Sequence, residues 1–88
     1  MKKLSSIKLE EIKKRCDAAS PGPWKSYVEG RDHESGSNFI MIGERGNRKD
    51  DIELIGAKIE DQDFIANARQ DIPLLIEEIE CLKKLVGE

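Results

Sequence analysis

The only histidine of the chain, His33, stands in the segment GRDHESGS, between two acidic residues and just before two serines. Serine, histidine and a carboxylate can form a nucleophile with its general base, provided that the acid comes from a separate part of the fold. Here the acids, Asp32 and Glu34, are the immediate neighbours of His33, and successive side chains point in different directions. Ser35 and Ser37 also lack the strand-to-helix turn that exposes a nucleophilic serine. The pattern therefore predicts an exposed loop without a catalytic role.

Metal binding and catalysis by paired acids are not predicted either. The two cysteines, Cys16 and Cys81, are far apart and, with a single histidine, do not have the spacing of zinc ligands. Both fall in helical patterns, which favours free thiols in a reducing cytosol. The neighbouring acids at 61–63 and 77–78 are explained by helix capping and solvation. We expect no catalytic residue, no metal and no cofactor, and so a protein that is not an enzyme.

The candidate ligand- or partner-binding residues are aromatic, basic or amide side chains. Trp24 can stack on a base or a partner side chain, although it can also serve as a core anchor. Arg69 can hold a phosphate or carboxylate, although it can also lie on Trp24 or pair with an acid. The glycine-bearing loop ERGNRKDD can close over phosphates or can be a solvated turn. The full set is Trp24, Tyr27, Arg45, Arg48, Asn67 and Arg69.

A stripe of large aliphatic residues near the C-terminus is the strongest interaction signal. Its members are spaced 3, 4, 3 and 4 residues apart, as in a coiled-coil seam, and they are Ile72, Leu75, Ile79, Leu82 and Val86. Burial against the first helix and the sheet of the same chain is one explanation. However, the aliphatic residues of this segment are many for so small a core, so the stripe predicts a homo-oligomer, a dimer or larger.

The elements that must position these residues follow from periodicity and turn residues. We predict one small α+β domain of order α-β-β-β-α-α, a three-stranded antiparallel meander with helices packed on one face. The predicted helices and strands are, in chain order, helix 6–19, strands 24–29, 38–43 and 52–58, and helices 62–70 and 72–86. The third strand can instead begin a helix, and 62–86 can be one helix kinked at Pro73.

The turn before Trp24 contains Pro21, Gly22 and Pro23, which end the first helix and set the direction of the chain. A stiff turn lowers the entropy lost when a large side chain is placed. We therefore expect Trp24 to dock against the helical region 61–86.

Charge is distributed unevenly along the 88 residues, whose net charge is −3. Residues 1–15 carry six cations and two anions, whereas residues 60–88 carry three cations and eight anions. The acidic balance argues against nonspecific nucleic-acid binding. The oppositely charged ends can attract each other, within the chain or between copies.

No apolar run is typical of a signal peptide or a membrane span.

Two segments, DAASPGPW and DQDFIANARQDIPLLIEEIECLKKL, resemble a set of small phage and prophage accessory proteins. In that set a helix ends in Ala-Ala-Thr-Pro-Gly-Pro-Trp, and a C-terminal segment contains Phe-Ile-Ala-x-Ala-Arg-x-Asp-Ile-Pro-x-Leu-Leu. Here Ser20 replaces the usual threonine, and the matching parts cover roughly a third of the chain. The resemblance implies a cytoplasmic protein of an infected or lysogenic bacterium. It implies no reaction, and it fits genes that block or tune host pathways, including antiviral defence.

These observations lead to two functional hypotheses. The first is a non-enzymatic phage-type accessory protein that binds a host or phage protein through the exposed sheet face or hairpin loops of an oligomer. The second is an oligomeric sponge that sequesters an anionic nucleotide. In that case Trp24 or Tyr27 stacks on the ligand, and Arg45, Arg48 or Arg69 pairs with its charge.

Overall fold

A computed structural model describes residues 4–44 and 46–87 as two helices and a two-stranded antiparallel sheet. The elements are, in chain order, α1 (Ser6–Ala18), β1 (Trp24–Tyr27), β2 (Phe39–Ile42) and α2 (Ile59–Leu85). The fold is α+β, but the predicted order α-β-β-β-α-α with a three-stranded meander was wrong. The differences lie in the third strand and in the C-terminal helices.

The strand predicted at 52–58 is reduced to a single bridge. Ile52 exchanges two backbone hydrogen bonds with Ile40, of 2.8 and 2.9 Å. The chain then turns at Gly56, whose φ of +81° suits glycine because it has no Cβ. It enters α2 at Ile59, so too few residues remain for a third ladder.

The helices predicted at 62–70 and 72–86 form one continuous helix of 27 residues. It begins after Lys58, whose backbone N–H donates to Asp61 Oδ2 at 3.1 Å. Pro73 lies inside it, and Asp71, where the second predicted helix would begin, is an exposed interior residue. An Asp cap with Pro in the first turn is typical of a helix start, but the backbone remains helical through Asp71, Ile72 and Pro73.

α1 lies antiparallel to the C-terminal half of α2. Ser5 caps α1, because its hydroxyl accepts from Lys8 N at 3.0 Å. Lys13 Nζ contacts Glu80 Oε2 at 3.0 Å, and Lys83 Nζ lies 3.4 Å from the carbonyl oxygen of Leu4. α1 therefore covers one flank of α2.

The sheet has one face on α2 and one face open. Trp24 pairs with Ile42 and Tyr27 with Phe39, so side chains alternate between the faces. The inner face buries Ile40 and Ile42 against α2, and the buried apolar residues of the fold are Leu9, Val28, Ile40, Ile42, Ala66 and Ile76.

Within the described segments, neither helix combines the length and the apolar composition needed to cross a bilayer.

Candidate binding surfaces

A glutamine side chain of α2 hydrogen-bonds the edge of β1 that is not paired with β2. Gln70 Oε1 accepts a hydrogen bond from Trp24 N at 2.7 Å, and Gln70 Nε2 donates to Trp24 O at 3.1 Å. Both backbone groups of Trp24 are therefore satisfied by one amide, which pairs with the strand as a neighbouring peptide would. The sheet edge that faces α2 is consequently closed at Trp24.

A second glutamine fastens α2 to the other end of β1. Gln62 is buried, and its Nε2 lies 2.9 Å from Ser26 Oγ, 3.1 Å from Tyr27 O and 3.2 Å from Phe39 O. Ala66 is fully buried between the two glutamines. The spacing of four residues places the three side chains on one helix face. This face was not identified as buried from the sequence, because glutamine in a helix is usually exposed. The small Ala66 between two glutamines was the signal that could have indicated its burial.

An ion pair holds the segment after β1 against the same helix. Arg31 donates to both carboxylate oxygens of Asp63, at 2.8 and 3.0 Å. The Arg31 guanidinium, together with the Ser26 hydroxyl, lowers the pKa of Asp63 to about 2. Asp32 accepts from Val28 N at 2.8 Å and from Arg31 Nε at 2.9 Å. Arg31 and Asp63 thus have a structural use that sequence reasoning did not assign.

The outer face of the sheet carries a half-buried aromatic pair. The rings of Tyr27 and Phe39 are stacked with centroids 5.4 Å apart. Lys25 Nζ lies 5.1 Å from the Tyr27 centroid, within the range of a cation–π contact. Met41 lies opposite Lys25 in the register and is also half-buried. We call the surface formed by Lys25, Tyr27, Phe39 and Met41 the outer sheet face.

His33 stands in the exposed loop that we expected, but its own side chain borders the outer sheet face. Its ring centroid is 5.0 Å from that of Phe39, and its side chain is half-buried. Ser35 N donates to His33 Nδ1 at 3.0 Å, which places the proton of a neutral ring on Nε2. Nε2 is buried and has no hydrogen-bond partner within residues 4–44 and 46–87.

Trp24 docks against α2, as predicted. It lies at a cleft of about 230 Å³ between α1 and α2, whose walls include Ile12, Arg15, Ile65 and Arg69. Trp24 Nε1 donates to Ser20 O at 3.1 Å, and this hydrogen bond holds the indole against the turn that precedes it. Arg69 Nε is buried and, among the residues that the structure describes, has no hydrogen-bond partner.

The remaining predicted binding residues do not join Trp24 and Arg69 in one site. Tyr27 points to the opposite face of the sheet. Arg48 forms an ion pair with Asp51 at 2.8 Å, and Asn67 Nδ2 donates to Asp63 O of its own helix. Arg45 lies outside the described residues. The predicted set therefore divides between the Trp24 cleft, the outer sheet face and internal contacts.

The predicted oligomer stripe remains largely uncovered. Ile72, Leu75, Leu82 and Val86 are exposed, and Ile79 is half-buried. α1 covers the flank that contains the buried Ile76, so the stripe is not consumed by the core of the same chain. The stripe still has no observed partner, and its role as an interface stays a prediction.

Comparison with known proteins supplies no relative from which to transfer a function. No protein-family profile matches the chain, and no curated protein and no solved structure shows significant similarity to it. In the described part of the chain, His, Cys, Asp and Glu side chains do not gather in threes around a metal position.

Proposed function

We propose that this protein is a small non-enzymatic accessory protein of phage type that binds a host or phage protein through the outer sheet face. The observation that carries the proposal is the stacked pair of Tyr27 and Phe39, which stands on the face that α2 leaves open. Lys25 adds a cation to the same surface.

The placement of the aromatic residues is costly for the isolated chain. Only four of its residues are aromatic, and burying one such side chain contributes about 1.5–3 kcal/mol. Tyr27 and Phe39 nevertheless stand outside the core. Tyrosine and phenylalanine are enriched at protein interfaces, where their rigid rings provide contact area at a low entropy cost. A partner that covers the pair would recover this burial.

The geometry favours docking on the face over addition of a strand. Gln70 occupies the backbone groups of Trp24 at one edge of the sheet, and Ile52 pairs with Ile40 at the other. A partner therefore has little free backbone to extend. The complementary surface is a protein patch of apolar side chains with a carboxylate placed beside Lys25.

The resemblance to phage accessory proteins supports a setting for this binding. It favours action in the cytoplasm of a bacterial host cell, where blocking or tuning a host pathway, such as defence, needs a binder and no reaction.

Affinity capture from the host lysate tests the proposal, with identification of retained proteins by mass spectrometry. We expect one protein to be retained by the wild type and lost with Lys25→Glu and with Tyr27→Ser. Lys49→Glu is the matched control, because it makes the same charge change at an exposed loop position and should retain the partner. Melting temperatures show whether each variant is folded. Equal capture by all folded variants would exclude the outer sheet face.

The nucleotide sponge is the alternative, and the Trp24 cleft is the observation that favours it. An indole and the unpartnered Nε of Arg69 adjoin there. At about 230 Å³ the cleft is smaller than the roughly 300 Å³ at which ligand pockets begin, so walls from another copy are needed. Cyclic or ADP-ribose-type nucleotides should then raise the melting temperature, and Arg69→Ala should abolish the rise. No rise with the wild type would end this alternative.

A further inference from the structure

The single chain exposes more surface than a compact protein of its mass. Its accessible area is 6886 Å² for 10.0 kDa, whereas a compact monomer of this mass exposes about 5,200 Å². Its radius of gyration is 16.0 Å, against about 12 Å for a compact chain of this length. The excess of roughly 1,600 Å² exceeds the ~800 Å² that each partner buries in a typical stable complex.

Five of the exposed large apolar side chains lie on one line along α2. Because α2 is continuous through Pro73, the predicted stripe extends toward the N-terminus of the helix. Its members are now Ile65, Ala68, Ile72, Leu75, Ile79, Leu82 and Val86, with spacings of 3, 4, 3, 4, 3 and 4 residues. We call this line the α2 ridge. It is about 32 Å long and has the heptad spacing of helices that pair side by side.

The α2 ridge has a basic border on one side. The cleft between α1 and α2 is lined by Arg15 of α1 together with Ala68 and Ile72 of the ridge. Lys8 lies seven residues before Arg15, on the same side of α1. Lys8 Nζ lies 3.7 Å from Glu11 Oε2, so the Glu11 carboxylate offsets part of its charge. Arg15 is therefore the main positive charge of this border.

The other side of the ridge has an acidic border. A second groove is lined by Glu60 and Asp71 together with the same ridge residues, Ala68 and Ile72. Glu78 lies seven residues after Asp71, on the same side of α2. The apolar ridge therefore runs between a basic and an acidic margin, and Arg15 and Asp71 flank the same stretch of it.

The order of the two margins selects one arrangement of two copies. A two-fold axis that lies in the interface and runs parallel to α2 makes the two ridges parallel. It brings the basic margin of each copy against the acidic margin of the other. A two-fold axis that lies in the interface but runs perpendicular to α2 makes the two ridges antiparallel. It brings margins of like charge together. In the parallel pair Arg15 faces Asp71 of the other copy. Lys8 and Glu78 also match, because α1 and α2 run in opposite directions within a chain.

We propose that the α2 ridge is covered by a second copy of this chain, in a two-fold dimer whose α2 helices are parallel and whose basic and acidic margins face each other. The dimer covers the Trp24 cleft, which shares Ala68 and Ile72 with the ridge. It places both outer sheet faces at the same end, toward the N-terminus of α2. The dimer does not depend on the proposed function, because the two surfaces are separate.

The mass of the full chain in solution, measured by light scattering or sedimentation over a range of concentrations, tests the interface. We expect twice the monomer mass for the wild type and the monomer mass for Leu75→Glu. Leu74→Glu is the matched control: Leu74 and Leu75 are 62% and 61% exposed, but Leu74 lies off the ridge. Circular dichroism checks that the helices remain. A monomeric wild type, or equal dissociation by both variants, would overturn the proposal.

Charge reversal tests the parallel orientation. Arg15→Asp and Asp71→Arg should each weaken the parallel dimer by at least several-fold in dissociation constant, and the double variant should recover most of the loss. In an antiparallel dimer each single change would relieve like-charge repulsion and strengthen association. Tighter association by the single variants would therefore contradict the parallel arrangement.

Discussion

At the level of single residues, the amide of Gln70 supplies to β1 what a third strand would otherwise supply. Its oxygen and nitrogen match the N–H and C=O of Trp24, at 2.7 and 3.1 Å. Because the strand edge lies against α2, these backbone groups have limited access to water, so losing the amide leaves them poorly satisfied. The position of Trp24, and so of the cleft beside it, depends on this contact.

Replacing Gln70 should therefore destabilise the fold. We expect Gln70→Ala to lower the free energy of unfolding by about 1–3 kcal/mol, as measured by urea denaturation. Gln70→Glu keeps the shape but cannot donate to Trp24 O, so it should also be destabilising. Asn67→Ala is the control, since that amide is exposed and, among the described residues, hydrogen-bonds within its own helix, so its effect should stay within about 0.5 kcal/mol. Equal losses for Gln70→Ala and Asn67→Ala would refute the special role of Gln70.

The Arg31–Asp63 pair predicts an acid sensitivity with a defined direction. The pKa of Asp63 is about 2 in the folded state, below its ordinary value of about 3.9 in an unfolded chain. The folded state thus binds fewer protons than the unfolded state between these values, and the contribution of the pair disappears as pH falls from about 4 to 2. The free energy of unfolding of the wild type should fall more steeply over this range than that of Asp63→Asn. Asp50→Asn, in an exposed loop, should follow the wild type.

At the level of elements, α2 has three differently used flanks. One flank is fastened to β1 by Gln62 and Gln70, a second lies under α1 at Ile76, and the third is the α2 ridge. A helix that is anchored on two flanks along its length can include Pro73, although proline removes one backbone donor. Continuity matters because two separate helices would not hold the ridge residues on one line.

Proline at this position is consequently a local weakness, and replacing it should stabilise α2. Pro73→Ala restores a backbone N–H for the carbonyl of Arg69 and removes a steric conflict, so we expect the free energy of unfolding to rise by about 1–3 kcal/mol. Thermal and urea denaturation measure the change. Ala57→Pro, outside the helix, is a control for the effect of proline on the unfolded chain. A decrease in stability on Pro73→Ala would show that the ring makes packing contacts worth more than the hydrogen bond.

At the level of the whole molecule, a flat body of 51 × 32 × 18 Å has a small core and two uncovered surfaces. The dimer proposed for the α2 ridge would supply burial that the single chain lacks. Because association is linked to folding, the melting temperature of the wild type should rise with protein concentration. That of Leu75→Glu should be lower and independent of concentration, whereas Leu74→Glu should behave as the wild type does. A concentration-independent wild type would argue that the chain is stable alone.

Several features were determined by the sequence itself, because local chemistry is sufficient to specify them. The 3.6-residue periodicity and Pro21 predicted a first helix at 6–19, close to Ser6–Ala18, and alternation placed strands near Trp24–Tyr27 and Phe39–Ile42. The stiff turn before Trp24 also predicted its docking on the C-terminal helix, which the cleft and the Gln70 contacts confirm.

Only the tertiary structure decided the rest. Whether Ile52 begins a strand or makes one bridge, and whether Pro73 ends a helix or lies within it, depends on packing against distant residues that outweighs local preference. The same holds for Gln62 and Gln70, whose burial follows from backbone groups that become available only once β1 is placed beside α2. The identity of the exposed apolar residues was a tertiary outcome too, because one helix can cover only part of the circumference of another.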